Sequence, residues 1–399
     1  MALMVKQQIV IVGGGFGGVK AALELSEDQR FAVTLVSDED NFRYYPALYH
    51  TATGGAKRVS EIPLSELLAE HPVKLIKAHA THLNRDKKEL LTKGAGAIKY
   101  DSLIMALGMT TNFFGIEGLQ EFSYGIKSLT EAQRFKQHLH DQLRTDSKPD
   151  ARYLIVGAGP TGVELAGVLP KYLKQLMKAH GIKHRAVHVD LIEAAPRILP
   201  RLPKDVARAT ARRLRKLGVS IHTNQKVESE NADALIINGK PVYSHTVVWT
   251  AGVACSPFFQ DNNFRITEHH KVQVDQYLQA EHGIYVLGDN AETKYSGVAQ
   301  TALYDAVFVA RNLVRQANGR NPEVYRPKLP VYVTPTGHGW ASVVWGKVHL
   351  YGRVGWWLRQ AADFLAYNSY QPWWPASQRW LALHIEEESC PICGRSNEQ

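Results

Sequence analysis

The chain has 399 residues, of which 45% are hydrophobic, enough for two or three domains with buried cores. Its 47 Lys and Arg against 38 Asp and Glu leave a net charge of +9, but no nucleic-acid-binding motif accompanies the charge, so nucleic acid is not an expected partner. No run of about 18 apolar residues can cross a membrane, Met1–Gln8 is too short for a secretory signal, and the three cysteines frame no disulfide fold; a cytoplasmic protein is expected.

The first predicted strand, residues 8–12, runs into Gly13-Gly14-Gly15-Phe16-Gly17-Gly18 and then a helix to about Ser26. An apolar β-branched strand, a GxGxxG turn and a helix form the dinucleotide fingerprint. The glycines make the turn and let backbone approach a pyrophosphate at the helix N-terminus. Phe31–Val36 is the next strand, and an acid at its end would bind a ribose. Ser37 stands at that end, so Asp38, one step later, is the candidate. Asn41–Tyr49 is an aromatic loop broken by Pro46. Tyr100–Gly108 is a buried strand ending in small residues, with Ala106 and Gly108 positioned for close approach to a ligand. Thr130 to about Thr145 is a predicted helix.

The fingerprint then repeats. Leu154-Ile155-Val156 leads into Gly157-Ala158-Gly159-Pro160-Thr161-Gly162. Two such units imply two dinucleotides, and FAD with NADH or NADPH in one electron-transfer enzyme is the economical pairing. The second strand of this unit ends at Glu193, whose carboxylate can accept both ribose hydroxyls and so favours NADH over NADPH. Six Arg and Lys residues follow Arg197, from Arg201 to Arg215, ahead of Lys216. Arg208, Arg212 and Arg215 share a helix face, either solvated or drawn to an anionic membrane surface. Thr250-Ala251-Gly252 ends another strand. Gly283–Leu287 is an apolar strand closed by Gly288-Asp289, where an aspartate can hold a ribityl hydroxyl. A helix from about Gln300 to Asn318 follows, its amides directed at the flavin.

Beyond Tyr325 the composition changes. Seven of the eight tryptophans lie there, and Val354, Trp357, Leu358, Ala361 and Leu365 form one helical stripe flanked by Arg353 and Arg359. Indoles at headgroup level with basic residues near lipid phosphates describe an interfacial segment; a protein interface is the competing reading. Cys390-Pro391-Ile392-Cys393 is half a zinc knuckle, one ligand short even if His384 supplies a third, and no metal is expected.

These pieces resemble the type II NADH dehydrogenases, single-subunit, non-proton-pumping NADH:quinone oxidoreductases of the pyridine nucleotide-disulfide oxidoreductase-like flavoproteins. The resemblance spans about residues 8–318. Gly159–Gly167 (GPTGVELAG) and Ala299-Gln300 carry it most specifically. It implies FAD in the first unit, against Gly13, Gly15, Phe16, Gly18, Asp38, Ala106, Gly108, Gly288, Asp289 and Ala299. It implies NADH in the second, against Gly157, Gly159, Pro160, Gly162, Glu193, Thr250, Ala251 and Gly252. Glu164 matches the family's glutamate near the nicotinamide–flavin junction, and Gln300 the first glutamine of its quinone motif. Tyr304 replaces the second. The resemblance also implies a homodimer bound peripherally to the cytoplasmic face of the membrane.

The expected fold is therefore α/β, with two Rossmann-like dinucleotide-binding domains and an aromatic-rich C-terminal membrane-associating segment. The FAD domain takes residues 1–115 and 275–325, the NADH domain 116–274, and the C-terminal segment 326–399. A sulfide:quinone oxidoreductase is the main rival, but it needs a cysteine pair beside the flavin. A redox sensor that binds FAD and NADH with slow turnover is a rival from another class. A soluble ferredoxin reductase would not need the Trp-rich tail, and a disulfide reductase would need a CxxC near residues 40–50.

Overall fold

Ile9–Val12 is wholly apolar and buried on both faces, the pattern of a central parallel strand. It forms the middle of a six-stranded sheet ordered Gln279–Glu281, Ile284–Val286, Ser102–Met105, Gln7–Val12, Phe31–Ser37, Val73–Lys77. All its neighbours pair in parallel except the edge strand Gln279–Glu281. The computed structural model describes residues 6–144, 152–182 and 186–385. The helix Phe16–Ser26 covers one face of the sheet and packs along the helix Ala299–Ala317. An antiparallel meander, His79–Asn84, Glu89–Lys93 and Gly96–Lys99, lies near the other face.

A second sheet of four parallel strands is ordered Val219–Thr223, His188–Glu193, Arg152–Val156, Val247–Trp249. The helices Pro160–Ala179 and Lys204–Lys216 pack on it through Val163, Leu173, Val206 and Leu214. The chain enters this unit through Met109–Thr111 and leaves it through Val253–Cys255, and these two strands pair antiparallel. The return lies upstream of the expected boundary at 275, because Phe258, Phe259, Phe264 and Val272 already pack in the first unit's core with Val10 and Val12.

The C-terminal part is an antiparallel sheet, Tyr332–Pro335, Ala341–Trp345 and Val348–Gly352, followed by the helices Arg353–Asn368 and Trp373–Ala382. It brackets both units. Arg213 donates to the carbonyls of Thr336 (3.2 Å) and His338 (3.1 Å). On the other side Tyr367, Tyr370, Ala376 and Ala382 enter the first unit's core, and the Tyr370 hydroxyl donates to the Phe16 carbonyl at 3.0 Å. The expected stripe is exposed at Val354, Trp357, Ala361 and Leu365, while Leu358 is half-buried. Trp373, Trp374 and Leu381 on the last helix are exposed as well. Cys390 and Cys393 lie outside the described residues.

Candidate active site

Both fingerprint turns form by the same local rule. Gly13 has φ +111° and Gly157 φ +102°, conformations closed to most side chains. A Cβ on Gly18 would lie 1.9 Å from the Gly13 carbonyl oxygen, and one on Gly162 would lie 1.9 Å from that of Gly157. Helix and turn therefore touch backbone to backbone. The strand ends close the other side: a Cβ on Gly13 would meet the Ala106 oxygen at 2.2 Å, and one on Gly157 the Ala251 nitrogen at 2.6 Å. Thr250 Oγ1 donates to the Val156 carbonyl at 2.8 Å, tying the second crevice shut at its base. Gly15 and Gly159, by contrast, face open space. Each crevice thus pairs a free helix N-terminus, beginning at Phe16 or Pro160, with small residues at the carboxyl ends of parallel strands, the geometry that admits a pyrophosphate.

Around the first crevice the structure gathers Ala106, Gly108, Gly288 and Ala299. Gly288 has φ +65°, and a Cβ there would lie 2.9 Å from Ala302 in the first turn of the helix that begins at Ala299. Asp289 accepts the Gly297 N–H at 3.1 Å, and burial raises its carboxyl above the usual range. Two expected residues behave differently. The Phe16 ring packs with Phe42, Tyr44 and Tyr370 in the core, so only its backbone faces the turn. Ser37, not Asp38, lies against Gly14. The strand ends at Ser37, and Asp38, just beyond it, pairs with His79 Nδ1 at 3.3 Å.

In the second unit Glu193 reaches back into the turn. Its Oε2 accepts the Ala158 N–H at 2.7 Å and its Oε1 the Ala195 N–H at 2.8 Å. Each oxygen keeps a second lone pair for a hydroxyl donor. Arg197 is fully engaged by its own loop, donating to the carbonyls of Leu199, Pro200 and Leu202. Lys127, not singled out from the sequence, donates to the Gly252 carbonyl at 3.1 Å, and burial lowers its ammonium to about 8.

Between the units stands Glu164, on the first turns of the second fingerprint helix. Burial raises its carboxyl to about 8, against a smaller opposing pull from Arg359. Arg359 itself corrects an expectation. Rather than reaching for lipid phosphates, it is 8% exposed. Its Nε donates to Asp363 Oδ2 at 2.7 Å and its Nη2 to the Pro46 carbonyl at 3.0 Å. The Tyr44 hydroxyl completes the network on Asp363 Oδ1 at 2.6 Å. This buried set fixes the aromatic loop against the C-terminal helix. Its one sequence signal is the i,i+4 spacing of Arg359 and Asp363.

Gln300 and Tyr304 share a face of the helix Ala299–Ala317, and the segment Tyr325–Val331 crosses it. Gln300 Oε1 accepts the Val331 N–H at 2.9 Å, which leaves its amide NH2 without a hydrogen bond among the described residues. Tyr304 packs against Tyr325, with Lys328 Nζ 4.3 Å from its ring centre. Asp305, also not singled out, joins this segment to the first crevice. It accepts the Tyr325 hydroxyl at 2.5 Å and the Gly288 N–H at 3.0 Å, and burial raises it to about 6.

Residues 7–306 match the model of the pyridine nucleotide-disulphide oxidoreductases. The chain belongs to this family. Within it, the chain is 28% identical over 349 residues to the type II NADH:quinone oxidoreductase Ndh of Mycobacterium tuberculosis, covering 81% of this chain and 75% of that one. It is 24% identical over 367 residues to the type II NADH:quinone oxidoreductase of Staphylococcus aureus, covering 86% and 90%. The fold superposes on NDH2 from Plasmodium falciparum in complex with NADH with a TM-score of 0.85 at 17% identity, covering 95% and 97%. On the sulfide:quinone oxidoreductase of Aquifex aeolicus the TM-score is 0.76 at 20% identity, covering 98% and 99%.

Proposed function

We propose that this chain is an NADH:quinone oxidoreductase that holds FAD in its first crevice and binds NADH in its second. The observation that carries the reading is the pair of glycine-closed crevices at strand ends, each open at Gly15 or Gly159. The similarity to type II NADH:quinone oxidoreductases over four-fifths of the chain supports it. FAD bound there would supply the hydride acceptance from NADH and the two-electron transfer to a quinone. The chain's own residues bind and orient. The amides at Gly15 and Gly159 meet pyrophosphates, and Asp289 holds the ribityl chain. Glu193 accepts the adenosine ribose hydroxyls, and its charge disfavours a 2′-phosphate. Glu164, neutral at pH 7, holds a proton close to where the two units meet. The Gln300 amide NH2 donates to a quinone carbonyl, and Tyr304 lies one turn away as the other wall of that site.

The sulfide reading needs two cysteines near the flavin. Cys255 is the one free cysteine among the described residues. Its thiol accepts from Asn290 Nδ2 at 3.2 Å, and burial raises its pKa, the opposite of a poised nucleophile.

The domain division follows the sheets: an FAD unit from residues 6–115 and about 253–325, an NADH unit between them, and the C-terminal bracket. No helix among the described residues is long and apolar enough to cross a membrane. We place the exposed side chains of Val354, Trp357, Leu365, Trp373, Trp374 and Leu381 in the interfacial layer of the cytoplasmic face, in a homodimeric enzyme. Anaerobic stopped-flow tests the activity. NADH is expected to bleach the flavin, more slowly matched by NADPH, and a short-chain quinone to restore the colour. Bleaching by sulfide but not by NADH would overturn the assignment.

A further inference from the structure

A further concave site adjoins the loop that follows Glu193, where Pro196, Arg197 and Ile198 form one of its walls. It is a groove of about 770 Å³ between the helix Lys204–Lys216 and the strand Val219–Thr223. Lys204, Arg208, Arg212 and Arg215 line it from one stripe of the helix, spaced four, four and three residues apart. All four are exposed, and none has a carboxylate partner among the described residues. The acid on the groove's wall, Asp205, is already held by His349 Nδ1 at 2.7 Å and the Tyr351 hydroxyl at 2.6 Å. Apart from Thr223 and Arg197, which is tied to its own loop carbonyls, the rest of the lining is apolar, chiefly Ile198, Ala211 and Ile221. Four uncompensated cations over an apolar wall suit a ligand with phosphate on one side and hydrocarbon on the other.

The surroundings say which ligand. His349, on the groove's rim, follows Val348 directly in the chain, and Val348 pairs with Trp345 at the tip of a hairpin. Both tip residues are more than half exposed. The same strand runs on into the helix that exposes Val354 and Trp357. A bare indole surface, which settles at the headgroup layer, is thus continuous in the chain with the rim of the cationic groove.

We propose that this groove is a docking site for the headgroups of anionic phospholipids, which the enzyme selects over zwitterionic ones. Arginine forks pair with phosphate oxygens, and the apolar wall takes the glycerol and upper acyl carbons. The inference rests on the peripheral-membrane reading above, and deepens it from attachment to lipid choice.

Flotation of the full-length flavin-loaded protein tests it, with vesicles of phosphatidylcholine alone and of phosphatidylcholine mixed with phosphatidylglycerol. Tighter partition to the mixed vesicles, weakening as salt rises, is expected. The triple variant Arg208→Ala/Arg212→Ala/Arg215→Ala should lose about fivefold in partition per charge, on the order of 10²-fold together, on the mixed vesicles only. Its flavin content, and its NADH oxidation with a water-soluble quinone, should match the parent, which separates lost docking from lost folding. The variant Trp357→Ala/Trp373→Ala/Trp374→Ala should weaken partition to both kinds of vesicle. Equal partition of the parent to the two vesicles, or a triple arginine variant that floats like the parent, would overturn the proposal and leave peripheral attachment standing. Flotation with neither would overturn the peripheral reading itself. Competition by millimolar glycerophosphate with no vesicle preference would assign the groove to soluble anions instead.

Discussion

Glu164 has few routes to water and no cation dedicated to it. Arg359 is in reach, but its charge is largely answered by Asp363, so desolvation dominates and holds the proton on to about pH 8. The unfolded chain would release that proton near the ordinary glutamate value. The folded state therefore binds more protons between those two pH values, and stability falls as pH rises through that window. Glu164→Gln should flatten that decline, read as urea midpoints at about pH 5 and about pH 9. If the carboxyl also serves turnover, the alkaline limb of the rate profile near pH 8 should vanish in the same variant. Asp363→Ala removes the acceptor of both Arg359 and Tyr44 and strands a buried guanidinium. A loss of about 3–5 kcal/mol in unfolding free energy is expected, whereas Asp363→Leu with Arg359→Met should recover much of it. The sequence showed Arg359 as one of two cations beside an apolar stripe. Which way such a residue faces depends on what packs on the helix, and Tyr44 and Pro46 are more than 300 residues away in the chain.

The two strand–turn–helix units were the most legible part of the chain, because everything that shapes them is local. Apolar β-branched runs specify the strands, and glycine alone fits the backbone contacts at Gly18 and Gly162. The equivalent substitutions should nevertheless separate the two units. Gly18→Ala should yield protein with little flavin, and Gly162→Ala protein with full flavin but at least about tenfold slower bleaching at limiting NADH, a loss near 1.4 kcal/mol. Absorbance of the purified variants and stopped-flow read the two effects. Asp38 lies one step past the strand end, where it pairs with His79, while Ser37 ends the strand against Gly14. Glu193 occupies the strand end itself, and its position was readable. The boundary near 275 was harder to see. Phe258, Phe259 and Phe264 are apolar in any context, and only the packing tells which sheet they cover.

At the scale of the whole molecule, the C-terminal segment is a bracket across the two units. Its outward face is the aromatic stripe the sequence displays. Its inward face, Tyr367, Tyr370, Ala376 and Ala382, completes the first unit's core and was hidden by the prominence of the tryptophans. Ending the chain at Tyr351 should therefore not produce a soluble active enzyme. Loss of flavin and a lowered, broadened melting transition are expected, measured by flavin-to-protein ratio and calorimetry. A truncated protein with full flavin content would show the bracket to be dispensable.

The hydrogen bond from Tyr370 to Phe16 also orders events in time. Its partners are 354 residues apart, and one of them opens the helix on which the first dinucleotide would rest. At roughly 5–20 residues per second of synthesis, about 20 to 70 s separate the emergence of the first fingerprint from that of the residue that secures it. Throughout that interval Phe42 and Phe16 lack their last aromatic neighbour. The aromatic cluster behind the first fingerprint is thus completed only when the far end of the chain has been made.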